Sequence, residues 1–409
     1  MSVMALRKIF HRRPRLLPFL RRHPALRWSL IAASTATAVF LGLVGWSVAG
    51  ALTAPGTDTI EARLAEWGRD HGLSPAVDWL EREQYQEHPP EVGGALSDQA
   101  KALLGGGAGQ GAAPKTVESQ LPPAVAPFAA PAQPGEGQWR AAEVGSGKPL
   151  IAETFLRPDA EHTSYLTGVA WIDTSAVRFE LHPGFDEPGG TWALPSSVPA
   201  GQRTGLLATW NGGFRIQDSQ GGYYQDGHTV GTLRDGAASE IFYTDGSMTI
   251  GQWGRDATMG PKVEAVRQNL DLLVDQGKVL PGVDLGVEEN WGASLYGSFY
   301  VWRSGIGVTA NGDLLYACGP ALSVRSLAEV LQRAGAVRAM ELDINPDWVS
   351  FMSYDAGTDP ANPSPVKLGT FDRPADRYYD QSSRDFVAAY ARQAGPASAK
   401  TSKLPAKTH

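Results

Sequence analysis

The sequence predicts an α+β protein, with mixed β-sheets and inserted helices preceded by an N-terminal transmembrane helix. Three observations predict it. Residues Trp28–Leu52 form a charge-free apolar run; from Trp139 to Gln393 short β-type runs alternate with Gly- and Asp-rich turns; and two segments of helical periodicity lie among those runs. The chain has 409 residues, 42% hydrophobic and 19% charged, enough for one large domain or two ordinary ones with a sizeable core.

Residues 1–27 carry eight basic side chains and no carboxylate. They contribute +8 to the formal net charge of −7 and leave −15 on the other 382 residues. A basic cluster directly before 25 apolar residues places the N-terminus in the cytoplasm and the body outside, in a single-pass cell-membrane protein. A cleaved signal peptide is the competing reading, because Ser47-Val48-Ala49 and Ala49-Gly50-Ala51 are acceptable cleavage sequences. The length of the run, beyond the usual ~7–15-residue signal core, favours an uncleaved anchor. The acidic body argues against nucleic acid as a partner, since phosphate neutralisation needs a basic face. A single cysteine, Cys318, excludes an internal disulfide and any multi-thiolate metal site, and its place in an apolar run fits a small core side chain.

Residues 58–87 read as a pair of short amphipathic helices, with Ile60, Leu64 and Trp67 on one stripe and Ser74-Pro75 opening the second. Residues 105–137, rich in Gly, Ala and Pro, read as a flexible linker, and residues 395–409 as a disordered tail. Between them, 139–393 is the folded domain. Gly168–Asp173 and Ala237–Tyr243 are strands, the second closed by an Asp245-Gly246 turn. Lys262–Gln276 places Val263, Val266, Leu270 and Leu273 on one helical face and stops at Gly277. Ser326–Ala334 opens with a Ser-x-x-Glu capping box to Glu329 and leads into an extended run, Val337–Asp343.

Three clusters carry chemistry. Asn211-Gly212-Gly213-Phe214 follows a strand and offers glycines for close backbone approach to a ligand and an amide free to donate and accept; Asp226-Gly227-His228 follows it as a turn whose polar side chains join the candidate binding set. Arg303, heading Ser304-Gly305-Ile306-Gly307-Val308 before an Asn311-Gly312-Asp313 turn, suits planar recognition of phosphate or carboxylate. Glu341 and Asp343, two apart on a presumed strand, share a face roughly 6.5–7 Å apart along it. Such a pair, with Asp347, is a candidate for general acid and base; a divalent cation held with Asn345 or Asp347 is the alternative. Trp348 offers an indole on which a sugar ring stacks.

Taken in order, Asn211-Gly212-Gly213-Phe214, the strand from Arg303 to Val308, Asn311-Gly312-Asp313, the helix around Ser326-Leu327-Ala328-Glu329 and the run Ala336–Asp343 resemble the phosphodiester glycosidase family over about 250 residues. The family commonly has Leu-Asp-Gly-Gly-Gly-Ser where this chain has Leu342-Asp343-Ile344-Asn345-Pro346-Asp347: the Asp is kept and the glycine loop replaced. The resemblance implies a hydrolase cleaving a sugar-1-phosphodiester in envelope glycopolymer or glycoconjugate. Asp343 would do the chemistry with Glu341 or Asp347, Asn211, Gly212 and Gly213 would hold substrate, and Arg303 would neutralise phosphate. A non-catalytic glycan-binding module of the same fold is the alternative.

Overall fold

The computed structural model describes residues 24–87, 89–105, 120–145, 147–284 and 300–392. The basic N-terminal segment up to residue 23, the middle of the predicted linker (106–119) and the C-terminal tail lie outside them. The chain divides into two compact units, residues 1–54 with 60–74, and residues 55–59 with 75–409.

In the first unit, α1 (Pro24–Leu52) contains the charge-free run, which by length and composition can cross a bilayer or serve as a signal sequence. Helix α2 (Ile60–Asp70) packs on it, and the Trp67 indole donates to Ser47 Oγ at 3.0 Å.

The second unit begins, after Pro55–Thr59, with helices α3 (Ser74–Glu87) and α4 (Asp98–Gly105). Among the described residues it has three sheets, whose strands pair in antiparallel ladders. The largest has eight strands. It includes β3 (Thr167–Ile172), β14 (Leu314–Leu322), β13 (Val301–Thr309), β15 (Ala336–Glu341) and β11 (Leu272–Asp275) in that lateral order. A second contains β6 (Gly222–Gln225), β10 (Val263–Gln268) and β8 (Ala238–Tyr243); the third contains β16 (Phe351–Asp355), β5 (Leu206–Asn211), β18 (Phe386–Ala391) and β4 (Val177–His182). One helix, α5 (Val324–Arg333), lies between β14 and β15 in sequence and buries Leu327, Val330 and Leu331. The class is α+β.

Three local expectations are corrected. The stripe Val263, Val266, Leu270, Leu273 is not helical: β10 and β11 occupy that stretch, broken at Leu270, whose φ is +56°. β10 is paired on both sides and, apart from Glu264 near its start, buried on both faces, so it lacks the two-residue alternation that marks a half-exposed strand, and its apolar residues imitate a helical period. The α5 cap is Ser323, three residues before the predicted one: Ser323 Oγ accepts from the Ser326 N–H, and Ser326 Oγ from the Ser323 N–H. Finally, residues 120–137 are not a free spacer. Val125 is buried, and Glu136, 3% exposed, pairs with Arg157 at 2.9 Å.

The core also contains unpaired acid. Glu240 is fully buried, with one hydrogen bond at 3.4 Å from the Trp210 indole, and burial pushes its carboxyl up to about 8. Burial pushes Glu153 up to about 7. Between the ordinary carboxylate range and these values the folded chain holds protons that the unfolded chain releases, so rising pH favours unfolding across that window. Glu240→Gln is therefore expected to be more stable than the parent near pH 8, by roughly a few kcal/mol, and nearly equal to it below about pH 4. Urea unfolding at the two pH values measures this; equal curves at high pH would refute it.

Candidate active site

Two sheets meet at the site through their strand ends. β5 ends on Asn211, and the following Gly212 N–H donates to Asp385 O at 3.0 Å, just before β18. In the large sheet the pairing of β13 with β15 continues past Glu341: Leu342 N donates to Ser304 O at 2.9 Å and Ser304 N to Asp343 O at 2.8 Å. This carries Asp343 to the end of the ladder. Asn269, in the break between β10 and β11, ties the two ends together. Its Oδ1 accepts from the Phe214 N–H at 3.0 Å, and its Nδ2 donates to the carbonyls of Glu341 and Leu342 at 2.9 and 3.0 Å.

Around this junction is a cavity of about 10 Å³, room for about one water. Asn211, Gly212, Gly213, Asp343 and Trp348 line it, as do Arg377, Tyr378, Ser382, Arg384 and Asp385. Asp343 is 3% exposed. One carboxylate oxygen accepts from the Asn345 N–H at 2.9 Å and the other lies 3.8 Å from Arg384 Nη2. Three guanidinium groups surround the Trp348 indole, Arg384 at 5.1 Å from the ring centroid and Arg373 and Arg377 at 5.9 Å each. Burial, and next the charge of Arg377, bring the Arg373 guanidinium down to about 10, so it stays cationic at neutral pH. Asp385 is held by Arg267 through bonds of 2.8 and 3.1 Å, both side chains fully buried.

The predicted residues separate into those at the cavity and those elsewhere. Asp343, Gly212, Gly213, Asn211 and Trp348 are brought together. Asn211 is not free for a ligand: its Oδ1 accepts from the Tyr316 hydroxyl and the Ser350 N–H, and its Nδ2 donates to Gly212 O and Ser304 Oγ. The glycines answer to protein neighbours as well as to the cavity. A Cβ on Gly213 would lie 2.8 Å from the Asn269 amide, and one on Gly212 2.2 Å from Asp385 Oδ2. Since Arg267 fixes that carboxylate, Gly212→Ala is expected to cost about 3 kcal/mol, read as a lowered denaturant midpoint at unchanged slope. A neutral substitution would show that Asp385 gives way.

Glu341 and Arg303 are corrected. Both are fully buried and pair with each other at 2.5 Å, while Arg303 Nε donates to Leu322 O at 2.9 Å. Glu341 and Asp343 do not work as a pair: Glu341 is spent on Arg303, whereas Asp343, past the end of β15, meets the Asn345 N–H and Arg384. Asn345 Oδ1 accepts from the Asp347 N–H, which makes it a turn residue, and Asp347 is half-buried and accepts from Thr59 Oγ1 at 3.1 Å. Burial raises the Asp347 carboxyl above the ordinary range against the opposing bond from Thr59. Asp226 and His228 sit at an exposed hairpin tip, where Asp226 and Gly227 take φ of +51° and +79°. Among the described residues, no group of three or more His, Cys, Asp or Glu is arranged to hold a metal ion.

Sequence reasoning missed Arg373, Arg377, Arg384 and Asp385. Their signal was there: three arginines within twelve residues, among aromatics and serines, in an acidic body. A larger cavity, about 220 Å³, lies by Phe155, Trp302, Cys318 and Leu368, but its described lining has no carboxylate, basic side chain or histidine. Burial pushes the Cys318 thiol up to about 12, which leaves it inert there.

The phosphodiester glycosidase family model matches residues 204–343, a stretch that contains the Asn-Gly-Gly-Phe turn, the β13–β14 hairpin, α5 and Asp343. No curated protein matches the chain. Among solved structures, the zebrafish N-acetylglucosamine-1-phosphodiester alpha-N-acetylglucosaminidase catalytic domain, auto-inhibited by its pro-peptide, is similar with 13% identity and a TM-score of 0.41, over 62% of this chain and 88% of that one. A hypothetical protein from Synechocystis has 13% identity and a TM-score of 0.35, over 62% of this chain and 65% of that one.

Proposed function

We propose that this chain, whose residues 204–343 match the phosphodiester glycosidase family model, is an exported, membrane-anchored hydrolase that cleaves a sugar-1-phosphodiester in envelope glycopolymer or a related glycoconjugate. The observation that carries the reading is one cavity at which the Asp343 carboxylate meets the Trp348 ring and the Arg377 and Arg384 guanidinium groups. An indole offers a sugar its flat face, guanidinium groups offer a phosphate paired donors, and a carboxylate offers a base or nucleophile.

In the reaction the bond from the anomeric carbon to the phosphate oxygen breaks and water supplies the new oxygen on that carbon. The electron pair leaves with the phosphate, which becomes a phosphomonoester. Such a leaving group, with a second pKa near 6, needs charge neutralisation more than a strong acid. Arg384 and Arg377 meet that need locally within a body whose net charge repels anions. Asp343 takes the proton of the attacking water, or attacks first. The second carboxylate of this reading is Asp347, outside the cavity lining but next in sequence to the cavity residue Trp348, with its carboxyl raised by burial. Residues Trp28–Leu52 supply the anchor and their basic flank the orientation.

Incubating the protein with cell-wall glycopolymer and measuring free reducing sugar together with newly exposed phosphomonoester tests this. Stoichiometric release of both is expected. The second reading, a glycan-binding module, is favoured by Ile344 and Pro346, which stand where the family's glycines allow close backbone approach; it predicts retention of the polymer without release.

A further inference from the structure

In the first unit, α2 does not lead away from α1 but runs back along it. Arg63 Nη1, in the first turn of α2, donates to Ala51 O at 3.4 Å, to Leu52 O at 3.2 Å and to Ala54 O. One turn later the Trp67 indole donates to Ser47 Oγ at 3.0 Å. His71 Nδ1 gives its proton to Trp67 O at 2.7 Å, so its Nε2 accepts from Ser47 Oγ at 3.2 Å. Later residues of α2 thus meet earlier residues of α1, and the two helices are antiparallel. Two exposed indoles, Trp28 and Trp46, bound most of the apolar run of α1. At helical rise they are about 27 Å apart, close to the ~30 Å hydrocarbon thickness, and interfacial indoles sit at its edges. Ser47 therefore marks the edge of the hydrocarbon, and the Arg63 guanidinium, which hydrocarbon excludes, lies beyond it at the end of α1. The far end of α2 closes in a Schellman turn: Leu73 N donates to Gly68 O at 2.8 Å, with Gly72 at φ +78°. Gly68 offers no side chain for Leu73 to pack on, and Leu73 stays 48% exposed.

We infer that the His71–Leu73 turn is a docking surface for a phospholipid bilayer, on the leaflet at the Trp46 side, with Leu73 at the boundary between headgroups and acyl chains. The inference rests on the membrane-anchor reading above and adds a second contact to it. Continuity with α1 names the occupant: the bonds from Trp67 and His71 to Ser47 bring the turn back to the level at which α1 leaves the hydrocarbon. The contact is apolar. Helix α2 has Glu61, Glu66 and Asp70 against Arg63 and Arg69, so it has no positive excess to recruit anionic headgroups. Depth then inverts the order in sequence. Leu73 is deepest, Leu64 lies between, and Ile60, the nearest of the three to α1 along the chain, is shallowest. All three are exposed.

Nitroxide labels on Ile60→Cys, Leu64→Cys, Leu73→Cys and, within α1, Phe40→Cys test this on the full chain in phosphatidylcholine vesicles; Cys318 is buried and stays unlabelled. Collision with a water-soluble nickel chelate is expected to fall from Ile60 through Leu64 to Leu73, at least ~3-fold overall, and to be lowest at Phe40. Collision at Leu73 equal to or above that at Ile60 would overturn the inference. Phosphatidylglycerol vesicles should give the same order, and protection of Leu73 in them alone would overturn an apolar contact. Ser47→Ala with Arg63→Gln removes the bonds between the helices and should raise collision at Leu73 to the Ile60 level. An unchanged order would show that the hairpin does not seat the turn, which also overturns the inference. Phe40 protected with Leu73 in water sinks the docking surface and leaves the anchor standing; Phe40 in water sinks both.

Discussion

Asp343→Asn is expected to lower release of sugar from a phosphodiester by about 10³-fold or more and to leave the fold intact. The split follows from what each oxygen does. One Asp343 oxygen accepts from the Asn345 N–H, a bond that an asparagine carbonyl keeps. The other faces Arg384 at 3.8 Å, where an amide nitrogen is a poorer neighbour. Losing that attraction costs about 1 kcal/mol, a small part of the stability of a chain this size. The carboxylate's ability to take a proton or to attack carbon is lost altogether. Turnover and a denaturant curve on the same preparation give both numbers. Undiminished turnover would remove Asp343 from the chemistry; a collapsed denaturation midpoint would make it a structural residue.

The readings that held were those fixed by neighbouring residues. The β13–β14 hairpin was legible because Asn311-Gly312 supplies a turn in which Gly312 takes φ of +90° between two apolar runs. The position of Asp343 at a strand end was legible because the extended run from Ala336 leads directly into it. Arg303 and Glu341 were misassigned for the opposite reason: nothing local says that β13 and β15 pair so that each buries the other's charge. The stretch 262–276 failed because strand β10 is central and its polar Arg267 and Gln268 are buried beside its apolar residues, so no exposed face alternates along it. The arginines of 373–384 could not be connected to Asp343 by spacing. The third sheet brings them there, when β18 pairs with β5 and places Asp385 beside Gly212.

That same pairing makes Arg267 the most consequential structural side chain near the cavity, and Arg267→Met is expected to destabilise the protein by about 3–5 kcal/mol. Arg267 and Asp385 are fully buried, and the guanidinium spends every nitrogen: Nε and Nη2 on Asp385, Nη1 on Gln268 O at 2.9 Å, and Nη2 also on Phe214 O. Burial works against its charge, but the Asp385 carboxylate wins and holds Arg267 above the ordinary arginine value. Methionine fills much of the volume and leaves Asp385 charged without a partner, which is the costly half of breaking a buried pair. Arg267→Met with Asp385→Leu removes the stranded charge and should recover most of the loss, since Gly212 bonds to the Asp385 backbone carbonyl, which any residue supplies. A double-mutant cycle in urea gives the coupling directly, and additive losses would mean the pair is not the source. Recovery of stability need not restore turnover. Arg267 also anchors the carbonyl of Phe214, the residue whose N–H Asn269 holds to the strand end before Asp343, so the double variant should fold with a looser Gly212–Phe214 turn and a poorer active site.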